Sequence, residues 1–346
     1  MRASVIIVSY NSREDLKRCL PSLLPSLGAQ DEVIVVDNAS SDGSAGWLAQ
    51  SYPQIHLVNS PDNLGFAGGN NLGAHYANGR YLAFLNPDTV VEPGWLEALI
   101  AALESHPEAG LATSKILLLS DPERINTCGN DVHISGITLC RGMGLLRQSF
   151  SSQEEVSAAS GAAFVIRKDV FEALDGFDER FFMYMEDTDL SWRARLAGYS
   201  CLYAPDSIVY HDYTLTFGPL KTYYQERNRY LMLLKCLRLR TLLALLPVLL
   251  LAEVVTWGYT LLRDRRNLTN KFKAYAWIAR QWRSIRVEQE SFSRKFEISE
   301  RRILENAIWR LDYQQAHPGL AARVSRLIFD PLFFAFRAPL ALLRVR

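Results

Sequence analysis

The candidate chemistry in this sequence rests mostly on carboxylates. Glu186-Asp187-Thr188-Asp189 follows an aromatic run of Phe181, Phe182 and Tyr184. Adjacent carboxylates beside aromatic rings raise one another's pKa, through like-charge repulsion and loss of water. A raised carboxylate is suited to taking a proton from a hydroxyl. The ordinary use of such residues is an acidic first helical turn, and Asp189 fits that use. Asp88 follows an apolar run, with Pro87 restricting the backbone before it. A hard divalent cation needs only one or two protein carboxylates when a substrate diphosphate supplies further oxygens. Taken alone, Asp88 reads equally well as a turn residue. Asp37 stands just past another apolar run. There it can accept hydrogen bonds from a base imide or a ribose, although a single aspartate at such a place is more often a helix cap. His211 closes a strand-like run and is a candidate metal ligand or proton carrier. A lone histidine is more often structural.

These residues need a scaffold that brings them to one edge. Val5 to Tyr10 is a continuous apolar, β-branched run, as in a strand buried on both faces. Further strands are predicted at Val33 to Val36, Ile55 to Val58 and Tyr81 to Leu85, with helices between them near Ser44 to Gln50 and Gly65 to Ala77. Leu16, Leu20, Leu23, Leu24 and Leu27 recur at helical spacing, and Ser12 with Asp15 resembles the cap that opens that helix. The alternation predicts a parallel sheet covered by helices. Ligands of such sheets bind at the carboxyl ends of the strands. Those ends read Ser9-Tyr10-Asn11-Ser12, Asp37-Asn38-Ala39-Ser40-Ser41-Asp42-Gly43-Ser44, Asn63-Leu64-Gly65-Phe66-Ala67-Gly68-Gly69-Asn70 and Asn86-Pro87-Asp88. All are polar. The first turn lacks Gly-x-Gly-x-x-Gly, and there is no Walker loop, which excludes a nicotinamide fold and that class of NTPase.

Further along, Glu92 to His106 reads as a helix, Leu111 to Leu119 and Ala162 to Ile166 as strands, and Asp187 to Leu196 as a short amphipathic helix. Cys201 to Tyr210 mixes strand and turn. Glu123 to Gln153 has weak periodicity and reads as a hairpin plus a mobile loop. The chain has 346 residues, 49% of them apolar, and a net charge of +1. At about 150 residues per domain this allows two domains. The balanced charge gives no reason to expect nucleic acid as a partner. The five cysteines are widely spaced without Cys-x-x-Cys, which argues against a disulfide framework or a thiolate zinc site. No secretory signal is legible near Met1, so the N-terminal half is expected in the cytosol.

The character changes after Pro219. Tyr223 to Arg240 is a basic helical segment. Thr241 to Leu262 is mostly Leu, Val and Ala, as long as the ~20 residues that cross a bilayer core. It holds Pro247 and Glu253, and a glutamate is costly inside a spanning helix. Arg238 and Arg240 precede it, and Arg263, Arg265 and Arg266 follow it. The positive-inside rule would leave one flank depleted. A helix or hairpin lying in the interface satisfies both observations better than a clean span. A buried helix in a soluble bundle is the alternative. Leu327 to Leu343 reads as a second interfacial segment.

In order, Val-Ser-Tyr-Asn, Val-Asp-Asn-Ala-Ser-Ser-Asp-Gly-Ser, Asn-Leu-Gly-Phe-Ala-Gly-Gly-Asn-Asn, Leu-Asn-Pro-Asp and Phe-Met-Tyr-Met-Glu-Asp-Thr-Asp-Leu resemble the family 2 glycosyltransferases of GT-A fold, in particular the bacterial rhamnosyltransferase-like branch. The resemblance covers about residues 1 to 235. It implies an α/β fold, a Rossmann-like, mostly parallel sheet with flanking helices over residues 1–218. A helical, membrane-associated region over 219–346 would follow, with 241–262 and 327–343 as its membrane segments. It implies an inverting, metal-dependent hexosyltransferase using a nucleoside-diphosphate sugar and Mg²⁺ or Mn²⁺. Asp37 would read the base, and Ser9, Tyr10, Asn11, Asn38, Asn63, Gly65, Phe66, Asn70, Asn86 and Arg227 would complete the nucleotide-sugar site. Asp88, last residue of the family's Asp-x-Asp motif, and His211 would hold the metal; Asn86 stands at that motif's first position. Asp187 would be the catalytic base, with Glu186 the alternate. Tyr224-Gln225-Glu226-Arg227-Asn228-Arg229 resembles the branch's Arg-Asn-Arg segment and differs from the Gln-x-x-Arg-Trp of processive synthases.

The resemblance makes dTDP-rhamnose the leading donor and leaves UDP-linked sugars open. The expected acceptor is a saccharide or lipid-linked saccharide of cell-envelope polysaccharide synthesis. The expected location is the inner, cytoplasmic face of the cell membrane, peripheral or monotopic, with a homodimer among the allowed assemblies. Three rivals stand beside this reading. A nucleotidyltransferase needs a glycine-rich basic signature that Ser4 to Arg13 lacks. A glycoside hydrolase needs two carboxylates flanking the bond. A membrane-associated binding or scaffold protein with a decayed site is the third.

Overall fold

The computed structural model describes residues 1–213, 219–263, 265–316 and 319–336. They form two compact units: Met1–Asn130 with Cys140–Ala194 and Tyr199–Thr214, and Asp131–Leu139 with Arg195–Gly198 and Leu215–Arg346.

The strands are β1 (Ala3–Ser9), β2 (Asp31–Asn38), β3 (His56–Ser60), β4 (Tyr81–Leu85), β5 (Thr89–Val91), β6 (Ala109–Leu118), β7 (Asp121–Thr127), β8 (Asn130–Val132), β9 (Thr138–Cys140), β10 (Glu154–Glu155), β11 (Ala163–Arg167) and β12 (Ser200–His211); all but β8 and β9, most of whose residues belong to the second unit, build the first. Among the described residues, ten of these make one sheet in the order β10-β12-β6-β11-β4-β1-β2-β3, with β5 on β12 and β7 on β6; β8 and β9 form a separate ribbon. β3, β2, β1 and β4 are parallel, as the alternation predicts. β11 runs antiparallel between β4 and β6, and β12 is parallel to β6. The mixed strand-and-turn character of Cys201 to Tyr210 corresponds to the register shift in β12 between Ala204 and Ile208.

The helices are α1 (Arg13–Leu23), α2 (Ser44–Ser51), α3 (Gly65–Tyr76), α4 (Trp95–Ser105), α5 (Lys168–Ala173) and α6 (Glu186–Leu196). Val5, Ile6 and Ile7 of β1 are fully buried, so both faces of the strand are covered, as its unbroken apolar run requires. α1 buries Leu16, Cys19, Leu20 and Leu23. Each such side chain contributes roughly 1.5–3 kcal/mol relative to exposure. The expected Ser12 cap does not form. Ser12 precedes α1, but its hydroxyl donates to the Tyr10 carbonyl, and Asp42 Oδ2 accepts the Arg13 N–H at 2.9 Å instead. A neighbouring loop thus caps α1 and ties the ends of β1 and β2 together.

The second unit carries α7 (Pro219–Cys236), α8 (Leu239–Ala244), α9 (Leu246–Arg263), α10 (Leu268–Phe292), α11 (Glu300–Glu305), α12 (Tyr313–Ala316) and α13 (Leu320–Phe336). The apolar run of Thr241 to Leu262 divides between α8 and α9 at Leu245, just before Pro247. Among the described residues no single helix is long and apolar enough to cross a membrane. Residues 337–343 of the second apolar segment lie outside the described residues. Glu253 packs into an ion cluster between α7, α9 and α10. Its carboxylate meets Arg229, Tyr230 and Tyr275, and Lys271 Nζ lies 3.5 Å away. No disulfide joins any of the five cysteines, all of which lie among the described residues.

Candidate active site

The carboxyl ends of β1 to β4 share one edge because the strands are parallel. Ser9 stands opposite Asp37, and Asp37 opposite Asn59. Asp37 is buried; Oδ1 accepts the Ser44 hydroxyl at 3.0 Å and Oδ2 the Ser40 N–H at 3.2 Å. Both oxygens therefore brace the loop that opens α2. Asn11 adopts φ +54° and accepts the Ser41 N–H at 2.7 Å, while its own N–H donates to Ser40 Oγ. Asn38 clamps the next turn. Its Nδ2 donates to Asn63 Oδ1 and the Gly65 carbonyl, at 3.0 and 3.1 Å, and its Oδ1 accepts the Leu64 N–H at 2.9 Å. Ser9 is buried, and Tyr10 is exposed beside it.

The Asn63–Asn70 segment becomes the start of α3, and its glycines serve close packing. Gly65 adopts φ +70°, and a Cβ there would meet the Phe182 carbonyl at 2.4 Å. Further along α3, Cβ atoms on Gly69 and Gly73 would strike Val8 and Ile6 of β1, at 2.7 and 2.5 Å. The Ala67 N–H donates to that same Phe182 carbonyl at 3.2 Å. Asn70 turns its amide back to the Phe66 carbonyl of its own helix.

The contact with Phe182 joins the strand ends to the acidic pair. Phe182, Tyr184 and Met185 take φ of 62°, 67° and 69°. Each left-handed non-glycine residue costs roughly 1–2 kcal/mol, and such strain gathers at functional sites. This tight loop delivers Glu186 and Asp187 to the first turn of α6. Asp187 Oδ2 accepts the Gly161 N–H at 2.7 Å and Asn130 Nδ2 at 3.2 Å; Oδ1 accepts the Thr188 N–H and hydroxyl, at 2.6 and 3.1 Å. Glu186 is buried, and its Oε2 has no hydrogen-bond partner. Burial first, then repulsion from Asp187, holds the Glu186 carboxyl well above the usual range. Burial also raises Asp187, against the donors that lower it. Asp187 is half-buried and Glu186 is closed off.

Asn86 lies next to the pair through the backbone. Its N–H donates to the Ala162 carbonyl at 2.9 Å, one residue beyond the Gly161 that holds Asp187. Phe66 Cζ is 3.5 Å from where a Gly161 Cβ would begin. Two residues after Asn86, Asp88 Oδ1 is 3.3 Å from His211 Nε2, without the alignment of a hydrogen bond. His211 Nδ1 meets Asn126 Oδ1 at 3.0 Å, which turns Nε2 toward Asp88. A buried carboxylate oxygen lacking a hydrogen bond and an oriented imidazole fit a divalent cation whose other oxygens come from a diphosphate. Among the described residues there is no group of three or more His, Cys, Asp or Glu that could enclose a metal alone.

Arg227 belongs to the second unit. Its guanidinium lies over the rings of Tyr223, Tyr224 and Trp277 at 5.3, 4.7 and 4.7 Å, and its Nε donates to Asn228 Oδ1.

A family model described as Glycosyl transferase family 2 matches residues 4–175. The N-acetylglucosaminyl-diphospho-decaprenol L-rhamnosyltransferase of Mycobacterium tuberculosis is 30% identical over 238 residues, covering 60% of this chain and 75% of that protein. The chain belongs to glycosyltransferase family 2. Low-salt glycan biosynthesis hexosyltransferase Agl10 of Haloferax volcanii is 32% identical over 202 residues, 56% of this chain and 61% of that relative. Among solved structures, S. aureus TarS 1-349 in complex with UDP-GlcNAc superposes with a TM-score of 0.56 over 97% of this chain and 92% of that one, at 17% identity. GalNAc-T7 with UDP, GalNAc and Mn²⁺ gives 0.56 over 67% of this chain and 47% of that one, also at 17% identity. At such identities the likeness is one of fold, the GT-A type of sheet with flanking helices.

Three residues that meet the candidate site escape sequence reasoning: Asn126, Asn130 and Gly161. The asparagines lie in or beside β7 and β8, inside the stretch that reads as hairpin and loop. Both are buried. Their only sequence signal is a pair of amides four apart around Cys128-Gly129, and nothing in that spacing says they meet His211 and Asp187.

Proposed function

We propose that this family 2 glycosyltransferase moves a sugar, with inversion, from a nucleoside-diphosphate sugar to a hydroxyl of a saccharide or lipid-linked saccharide in cell-envelope polysaccharide synthesis. The observation that carries this is the linkage of Asp187, through Gly161 and Ala162, to Asn86 and thus to the Asp88 strand end. A proton acceptor and a diphosphate-binding strand end lie on one edge. dTDP-rhamnose is the leading donor and UDP-linked sugars the alternative. The mycobacterial relative is named for rhamnosyl transfer to a lipid diphosphate, which supports both the donor and a lipid-linked acceptor.

Asp37, Asn38 and Asn63, braced by their own hydrogen bonds, border the nucleotide pocket, with Ser9, Tyr10, Asn11, Gly65, Phe66, Asn70 and Asn86 around it. By the family resemblance, Arg227 would supply positive charge to the diphosphate. Asp88 and His211 would hold Mg²⁺ or Mn²⁺, which when bound supplies charge stabilisation to the leaving diphosphate. Asp187 takes the proton of the attacking hydroxyl. It is the member of the pair that solvent reaches, and its fixed hydrogen bonds orient it. The hydroxyl attacks the anomeric carbon opposite the departing diphosphate in one displacement, without an enzyme nucleophile. A second reading has one observation in its favour: Glu186 Oε2 lacks a partner, so its carboxyl is the less encumbered acceptor. The protein would work at the cytoplasmic face of the membrane, as a peripheral or monotopic enzyme.

Turnover of dTDP-rhamnose and UDP-sugars by the purified protein with Mn²⁺ tests the reading. Release of nucleoside diphosphate that disappears in Asp187→Asn is the expected result. Full activity in that variant moves the base to Glu186, and no release from any donor removes the proposal.

A further inference from the structure

Among the described residues, the helices α8, α9 and α13 of the second unit carry apolar side chains on an exposed side. Leu245 carries the helical hydrogen-bond ladder across the junction of α8 and α9, through Leu245 N–H to Thr241 O and Leu249 N–H to Leu245 O. Positions three and four apart therefore fall on one face through both helices. One face is buried, with Leu242, Leu245, Val248 and Ala252. The opposite face should be polar in a helix that meets water. Instead Leu239, Leu243, Leu246, Leu250 and Val254 line it, with Leu243 60% exposed.

α13 packs against α9 and repeats the pattern. Leu327 is 77% exposed, beside Val324, Ile328 and Leu332. Among the described residues of α8, α9 and α13, every exposed position is apolar or arginine. No exposed acid or uncharged polar side chain interrupts them. Exposed patches of this kind mark interaction surfaces, and the exclusive use of arginine as the charged residue selects a negatively charged partner.

Glu253 explains why the face stays outward. It is the sole acid of α8 and α9, and its carboxylate is bound to Arg229 of α7 and to Tyr275 of α10. Lys271 completes the cluster, 2.9 Å from Glu226 and 3.5 Å from Glu253. These bonds fix the roll of α9. They also put a charged cluster behind the helix, so lipid cannot surround it.

We infer that α8, α9 and α13 form one docking face for the anionic leaflet of a bilayer. The helices lie in the interfacial plane with their leucines in the acyl boundary and Arg240, Arg323 and Arg326 among the headgroups. The inference rests on the proposed membrane location and names the surface and the lipid chemistry that would produce it.

The test uses the full chain without detergent, mixed with extruded vesicles of phosphatidylglycerol and phosphatidylcholine or of phosphatidylcholine alone. The expected result is co-sedimentation with the anionic vesicles, weakened by salt and reduced about tenfold or more by Leu243→Glu with Leu250→Glu and Leu327→Glu. Arg240→Ala with Arg326→Ala should weaken binding to anionic vesicles alone. An unchanged melting curve and unchanged donor hydrolysis show that these variants are folded. Several outcomes overturn the inference. One is no vesicle binding by the natural sequence, and another is equal binding by the leucine variant. A dimer in light scattering that the leucine substitutions dissolve, without vesicle binding, makes the face a contact between copies. Resistance to carbonate extraction makes the segment a span. Loss of donor turnover with vesicle binding intact would sink the proposed reaction and leave the docking face standing.

Discussion

Two buried acidic clusters obey opposite electrostatics in this molecule. In the first unit Glu186 and Asp187 adjoin one another, and burial followed by mutual repulsion raises the Glu186 carboxyl. In the second unit burial also acts to raise Glu253, yet Arg229, the Tyr230 and Tyr275 hydroxyls and Lys271 outweigh it and bring the carboxyl down to about 2. The residue types match. The neighbours decide the sign. A raised pair costs stability and is ready to accept a proton, so it belongs with chemistry. A matched cluster is locked in its charged form and belongs with the positioning of helices.

Substitutions that remove charge from each cluster should separate these roles, and the largest effect is on rate. Asp187→Asn keeps the shape of the side chain and its N–H acceptor on one arm. Turnover should fall about 10²–10⁴-fold, the usual contribution of a general base. The unfolding temperature should stay level or rise, because a like-charge contact is gone. A rate within tenfold of the parent, or a clear loss of stability, would contradict the functional assignment of this pair.

The matched cluster should respond the other way. Arg229→Met strands Glu226 and Glu253 with Lys271 as the remaining cation of the cluster. Removing one member of a buried ion pair costs about 3–5 kcal/mol, measurable by urea or thermal unfolding. A variant as stable as the parent would show that the cluster carries no positional load. Acid should distinguish the two sites as well. Glu253 has a folded value below its ordinary 4.5, so its contribution is complete above that value and is lost as pH falls toward about 2. The raised pair has the opposite sign, costing stability above its unfolded values and returning it as pH falls.

Glu186→Gln should sharpen the comparison by a smaller step. Repulsion from Asp187 falls on Glu186, which keeps its proton while Asp187 ionises, so the glutamine copies a carboxyl that is already neutral at that step. The acidic limb of the pH–rate profile should stay in place, with the rate on the plateau changed little. Collapse of the plateau would instead identify Glu186 as the base.

The legibility of these clusters in the sequence also differs. The apolar strands, the polar strand ends and the acidic pair are local patterns, and residues 3–91 fold close to the elements they predict. Glu253 is legible as an anomaly in an apolar run, but its partners come from α7 and α10, and no periodicity predicts their meeting. Ser12 shows the same limit at short range. The residue type was right for a cap, and Asp42 from another loop reached the N–H first. The stretch around β7 to β9 was least legible because its buried polar residues work through long-range contacts. Asn130 reaches Asp187, and Asn126 reaches His211. Local propensity carries no record of such pairs.

Asn126 gives the smallest expected effect. Its amide oxygen holds His211 Nδ1 at 3.0 Å, and the ring's other nitrogen faces Asp88 at 3.3 Å. With Nδ1 tied to that oxygen, Nε2 is the nitrogen that would meet a cation held by Asp88. Asn126→Ala removes the acceptor while leaving both candidate metal ligands, Asp88 and His211, in the chain. Outer partners of metal-binding histidines contribute about 10–100-fold to metal affinity, so activation by Mn²⁺ should need about tenfold more metal. Turnover at saturating Mn²⁺ should stay near the parent value. A variant with unchanged metal requirement would leave His211 a structural histidine whose buried pairing with Asn126 serves only to seat β12 against β7.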